Sequence, residues 1–220
     1  MTELWADPSL GEIALRTLLV SGVATAAAMA VGVPLGYALG RRPFRGQTFL
    51  FAAINTGMGI PPVLVGLVVW LLLVRSGPFG AFELVYTKTA MVLAQFFIAL
   101  PVIIGFSAAS IEALSPRLPD LLAMLGAGPV MRLWLIAREA RFGLLAAVMA
   151  AFGGVVSEVG AAMAVGGNLQ GSTRVLTTAI VTETGRGHAD QALALGMVLL
   201  VLAFGLNLGL TLVQQRRRRA

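Results

Sequence analysis

Five stretches of the chain are long, apolar and nearly free of charge: Ile13–Leu39, Phe49–Val74, Thr89–Ala109, Phe142–Val165 and Ala192–Val213. A helix needs about 20 such residues to cross the hydrocarbon core of a bilayer. Within lipid the backbone must satisfy its own amides, which leaves helices and closed barrels as the spanning structures. Apolar runs of this length select helices. The expected fold class is therefore all-α, a polytopic membrane helical bundle of about five transmembrane helices. Composition agrees: 58% of the 220 residues are apolar and only 12% are charged, too few to cover a soluble domain.

Charge then orients the spans, because Lys and Arg collect in cytoplasmic loops. With the N-terminus outside, the inner side holds Arg41, Arg42, Arg45, Arg117, Arg132, Arg138, Arg141 and Arg216–Arg219. The outer side holds only Arg16, Arg75, Lys88, Arg174 and Arg186. Acidic residues lean outward: Glu3, Asp7, Glu12, Glu83, Glu183 and Asp190, against Glu112, Asp120 and Glu139 inside. This predicts a multi-pass protein of a bacterial or archaeal cytoplasmic membrane, N-terminus outside and C-terminus in the cytoplasm. The first ten residues contain no Lys or Arg, so no cleavable signal peptide is expected. The net charge of +6 does not point to nucleic acid, because the basic residues sit at the ends of apolar segments. The terminal arginine run suits anionic lipid instead.

Several chemistries are excluded. The chain has no cysteine, one histidine (His188) and one lysine (Lys88). Disulfides, thiolate catalysis and a His-rich metal site are ruled out, and no catalytic residue or metal ligand set is expected. Lys88 lacks the glycine frame of a P-loop, so ATP hydrolysis by that route is not expected here. An odd number of spans argues against an inverted repeat closed within one chain, and a pathway would need a second copy.

The loop from Ser110 to Arg141 departs from the surrounding pattern. It contains Ser115-Pro116-Arg117-Leu118-Pro119-Asp120, then an apolar turn and Gly126-Ala127-Gly128-Pro129. Serine suits an N-cap and proline a first turn. Asp120 would face the positive end of the helix dipole. Gly126 would end the helix in the left-handed conformation. About seven residues at 1.5 Å each make a helix of roughly 10 Å. Leu121, Leu122, Met124 and Leu125 give it an apolar surface. From its residues alone it could dock on a partner or lie on the inner leaflet.

The spacing Asp120-Leu121-Leu122, three residues, Gly126, nine residues, Ile136 resembles the coupling motif of ABC-transporter permeases. That motif begins Glu-Ala-Ala and ends Leu-Pro; here Arg138-Glu139 stand at its end. Residues 157–184 are similar to the oxyanion branch of type I ABC importers. The similarity runs through Glu158, Gly160, Ala161, Gly167, Asn168, Gly171, Thr173, Thr177, Thr178, Ala179 and Ile180. The segment Ile60–Leu67, with Pro61-Pro62, resembles the same permeases. Within the branch, Arg138–Gly143, Gly166-Gly167-Asn168 and Thr177–Ile180 look most like tungstate permeases. Molybdate and sulfate permeases are alternatives, and an ion channel or secondary carrier is the runner-up class.

The resemblance covers nearly the whole chain and implies a single permease domain over 1–220, its core about 11–213, with a cytoplasmic coupling loop over 110–141. It implies a non-catalytic subunit without cofactor, acting as a homodimer in the lipid bilayer. Its implied partners are two cytoplasmic ABC ATPase subunits, which hold ATP and Mg, and an extracytoplasmic oxyanion-binding protein. Coupling to the ATPase falls to Asp120, Leu121, Leu122, Ala123, Gly126, Ala127 and Ile136.

Candidates for the translocation pathway or gate are Asn55, Thr56, Pro61, Pro62, Glu158, Gly167, Asn168, Thr177 and Thr178. Pro61-Pro62 would kink the second span, lining a pathway or merely packing between helices. Glu158, inside the fourth span, would serve a gate or a subunit-interface hydrogen bond, or else pair with Arg174. Gly167 and Asn168 could form an anion-friendly concavity, with the threonine hydroxyls as neutral donors, or an ordinary turn. His188 is expected to be solvated.

Overall fold

The computed structural model describes residues 8–41, 44–115 and 117–219; Glu3, Asp7, Arg42 and Pro116 lie outside them, as do the side chains of Arg216–Arg219. Among the described residues the regular elements are all helical. They are α1 (Pro8–Arg41), α2 (Gln47–Gly59), α3 (Pro62–Leu73), α4 (Lys88–Glu112), α5 (Leu118–Met124), α6 (Pro129–Glu139), α7 (Arg141–Val156), α8 (Gly160–Gly166), α9 (Leu176–Gly185) and α10 (Ala189–Arg219). A short 3-10 turn at Gly80–Phe82 lies between α3 and α4.

Helices α1, α4 and α10 are each long and apolar enough to cross a membrane. Two further pairs reach that length only together: α2 with α3, bent by 98°, and α6 with α7, bent by 78°. The span expected at Phe49–Val74 is thus not a continuous helix, and the second bent pair covers Pro129–Val156 instead of the expected Phe142–Val165. Ile60 and Pro61 each precede a proline, which disfavours the helical conformation. Both are extended, at φ −65°, ψ 130° and φ −55°, ψ 125°. Single prolines do not have this effect here: Pro34 and Pro101 sit inside continuous helices. The expected fourth span breaks after Val156 and resumes as the seven-residue α8.

The centre of the molecule is α1 packed along α4. Gly32, Gly36 and Gly40 recur one turn apart on α1 and face α4. A Cβ at Gly36 would lie 2.6 Å from the Ser107 Cβ and 2.9 Å from the Ile104 carbonyl oxygen, and one at Gly40 2.6 Å from the Ala108 oxygen. Lipid gives little hydrophobic reason for helices to associate, so close backbone approach supplies the dispersion contacts. Helix α7 packs against both: Ala28, Ala99, Ile103, Ala151 and Val155 form one buried cluster. Gln95 Nε2 donates to the Val155 carbonyl at 3.1 Å, tying α4 to α7.

Candidate functional site

The loop helix α5 is seven residues long, as the sequence predicts. Its start differs. Arg117, not Ser115, occupies the N-cap, Pro119 lies in the first turn, and the Ser115 carbonyl accepts from the Leu118 N–H at 3.0 Å. Its end is as expected. Gly126 adopts φ +79°, its N–H donates to the Ala123 carbonyl, and the Ala127 N–H donates to the Leu122 carbonyl, both at 3.0 Å. This pair of bonds satisfies carbonyls the last turn would otherwise leave open. Gly128 then caps α6, with Pro129 at its first position.

Ile136 anchors the loop. It is 1% exposed and packs with Ile111, Ala140 and Leu144, with Leu118 and Leu122 half-buried against the same cluster. On the other side Leu121, Met124, Leu125 and Val130 are 53%, 84%, 82% and 81% exposed. Asp120, Ala123 and Gly126 are exposed as well, and Ala127 is half-buried. The proposed coupling set therefore divides in two. Leu122, Gly126, Ala127 and Ile136 hold the helix in place, while Asp120, Leu121 and Ala123 belong to the presented face. Met124, Leu125 and Val130 complete that face; only their apolar character between Asp120 and the arginines of α6 marked them in sequence.

The two helix breaks meet. A Cβ at Gly66 of α3 would lie 2.5 Å from the Ala161 Cα of α8, and one at Gly160 would overlap Val63. At this junction Glu158 Oε1 accepts from the Ala161 N–H at 2.8 Å. The carboxylate thus caps α8, placing negative charge at the positive end of the helix. No pair with Arg174 is present among the described residues. Thr177 Oγ donates to the Glu158 carbonyl at 2.9 Å, joining α9 to the same point. Glu158 and Thr177 are brought together beside Val63 and Gly66, just past Pro61 and Pro62. Asn55 and Thr56 lie on the exposed side of α2, before the bend, and Thr56 Oγ donates to the Ala52 carbonyl.

Of the two readings of the turn after α8, the hydrogen bonds within it are those of an ordinary turn. Gly167 (φ +66°) donates its N–H to the Met163 carbonyl, and the Leu169 N–H donates to Thr173 Oγ. Thr173 Oγ donates to the Gly166 carbonyl and Thr178 Oγ to the Val175 carbonyl. Thr173, Thr177 and Thr178 are 0%, 4% and 0% exposed. Buried hydroxyls must find acceptors, and here the backbone supplies them. Asn168 Nδ2 reaches Thr182 Oγ at 2.6 Å, while its Oδ1 is buried without a partner.

A charged corner near the start of α10 was not anticipated. Arg16, counted above among the outer-side charges, is 7% exposed and donates to the carbonyls of Arg174 and Gly171. Thr17 Oγ accepts from the Leu176 N–H at 2.9 Å, so α1 caps α9. Glu183 is 8% exposed; Arg186 donates to its Oε1, and His188 Nδ1 lies 2.9 Å from its Oε2. His188 is thus paired as well as half-exposed.

Residues 32–219 match the family described as binding-protein-dependent transport system inner membrane component. The chain is 42% identical to a probable anion ABC transporter permease of Haloferax volcanii, over 90% of this chain and 88% of that one. It is 39% identical to the tungstate uptake system permease of Peptoclostridium acidaminophilum, over 91% and 88% of the two chains. Among solved structures it is similar to an inward-facing MetNI methionine ABC transporter, with a TM-score of 0.71, 18% identity and coverage of 96% and 94%. That likeness establishes the fold alone.

Proposed function

The chain belongs to the family of binding-protein-dependent transport system inner membrane components, and from that premise we propose that it is the membrane subunit of an importer for an oxyanion, tungstate first. A binding protein outside delivers the anion, and a separate ATPase inside, holding ATP and Mg, drives the cycle. A second copy of the chain completes the pathway, and the N-terminus lies outside. The chain itself contributes no catalytic residue.

The observation that carries this reading is the loop helix. It is short, fixed at both ends and apolar on its free face, and Ile136 roots it in the junction of α4, α6 and α7. Force applied to Leu121 and Met124 passes directly into two membrane helices. Asp120, Leu121, Leu122, Ala123, Gly126, Ala127 and Ile136 form this handle. The junction of Glu158 and Thr177 with the start of α3, just past Pro61 and Pro62, is the favoured gate, because it joins two helix breaks whose relative angle can change without unravelling a helix. Asn55 and Thr56 line the approach; Gly167, Asn168 and Thr178 act by holding α8 and α9. Tungstate is supported by the relative from Peptoclostridium acidaminophilum and the anion class by that from Haloferax volcanii.

Gentle solubilisation and purification of the full-length chain tests the assembly. Retention of an ATP-binding-cassette ATPase is expected, and its absence from the native complex would count against the reading. Substrate is tested on the reconstituted complex. Tungstate-loaded binding protein should stimulate ATP hydrolysis more than molybdate- or sulfate-loaded protein at equal occupancy.

A further inference from the structure

A groove between α1, α6 and α7 serves none of the roles above. It encloses about 580 Å³, with Met29, Leu145 and Val148 along one end and Trp134, Arg138 and Arg141 at the other. Val148 lies seven residues beyond Arg141 on α7, about 10 Å further along the helix. The 78° bend between α6 and α7 brings an arginine from each to one rim. Both guanidinium groups sit over aromatic rings: Arg138 is 5.5 Å from the Trp134 centroid and Arg141 4.9 Å from that of Phe142. Neither has a carboxylate partner among the described residues. Trp134 itself is 55% exposed.

We propose that this groove holds one phospholipid with an anionic headgroup, its phosphate against Arg138 and Arg141 and an acyl chain along Leu145, Val148 and Met29. The arrangement is amphipathic in the same sense as the ligand. Guanidinium groups bind phosphate through paired hydrogen bonds, and basic pockets between membrane helices take anionic headgroups. Tryptophan is enriched at headgroup level. A free oxyanion would pair with the arginines but leave the apolar length of the groove unfilled. A second copy of the chain would have to bring carboxylates to the rim. The inference depends on the membrane setting and on neither the transported anion nor the ATPase.

The test uses the full-length chain in phosphatidylcholine vesicles, with Trp5 and Trp70 changed to phenylalanine so that Trp134 reports alone. Lipids brominated on the acyl chain are added at equal, small mole fractions. Brominated phosphatidylglycerol should quench Trp134 several-fold more than brominated phosphatidylcholine, and Arg138→Gln with Arg141→Gln should abolish the difference. Equal quenching by both lipids overturns the proposal. So does protection from both, which gives the groove to a second copy, and so does loss of the preference on adding soluble tungstate. Native mass spectrometry of the unsubstituted protein is the second measurement. Selective retention of phosphatidylglycerol is expected, and its absence overturns the proposal without relying on any variant.

Discussion

Arg16 ties the start of α1 to the loop before α9 through two hydrogen bonds, at 3.0 Å to the Arg174 carbonyl and 2.9 Å to that of Gly171. Glu12, at 4.0 Å and largely exposed, adds little. Hydrogen bonds from a charged donor contribute about 1.5–3 kcal/mol each, so Arg16→Met should lower stability by about 3 kcal/mol once non-additivity is allowed for. Arg16→Lys should recover only part, since one ammonium cannot span both carbonyls. The unfolding midpoint in detergent measures both. Glu183 makes a pH prediction. The hydrogen bond from His188 holds its carboxyl below the ordinary 4.5; burial opposes this, and the charges of Arg186, His188 and Arg174 assist it. A lowered folded-state value means that the native state favours the carboxylate. Its contribution is complete above about 4.5 and is lost as pH falls through the lowered value. Stability measured from neutral pH downward should therefore fall more steeply in the parent protein than in Glu183→Gln. Neither role was legible in sequence, where both residues read only as charges on the outer side. The partners of Arg16 lie 158 and 155 residues away.

At the scale of elements, the loop helix separates presentation from support. Met124 and Leu125 are 84% and 82% exposed, so Met124→Asp with Leu125→Asp should change stability by no more than about 0.5 kcal/mol per site. Retention of the ATPase, read by co-purification, should nevertheless collapse. Ile136→Ala empties a buried position and should cost about 2–5 kcal/mol, losing stability and retention together. The helix was readable beforehand because everything that shapes it is local: a proline and an aspartate in the first turn, and a glycine whose φ is +79°. The two helix breaks were less readable. Pro61-Pro62 announced a kink, but the bend of 98° depends on what α2 and α3 pack against. The second break contains no proline, and the bond from the Ala161 N–H to Glu158 that marks it cannot be read from the sequence. The threonines left two readings open for a related reason. A sequence lists donors without their acceptors, and at low solvent exposure the backbone claims them.

Across the whole molecule, assembly rests on the α1–α4 seam and on how many times the chain crosses the bilayer. The seam was not singled out from the sequence, although Gly32-x-x-x-Gly36-x-x-x-Gly40 is a spacing that puts small residues on one helix face. Gly36→Leu would drive a side chain into the Ile104 carbonyl and Ala108 N–H, and folded yield on size-exclusion chromatography should fall to near nothing. Crossing number can be tested cleanly because the chain has no cysteine, so any introduced thiol reports alone. Phe44, Phe82 and Met124 are 45%, 67% and 84% exposed and flank the bent pair α2–α3 and the continuous helix α4. Only α4 separates Phe82 from Met124, and it is a continuous helix of 25 residues. Phe82→Cys should react with an impermeant maleimide in intact cells, and Met124→Cys only after permeabilisation. Between Phe44 and Phe82 lie α2 and α3, 13 and 12 residues long. At 1.5 Å per residue neither reaches the roughly 30 Å of the hydrocarbon core alone. If the bent pair crosses as one span, Phe44→Cys shares the behaviour of Met124→Cys, as Arg41 and Arg45 on either side of it favour. If the pair is a re-entrant loop, Phe44→Cys labels from outside with Phe82→Cys, the number of crossings drops by one, and Pro61-Pro62 becomes the tip of a hairpin instead of a hinge within a span.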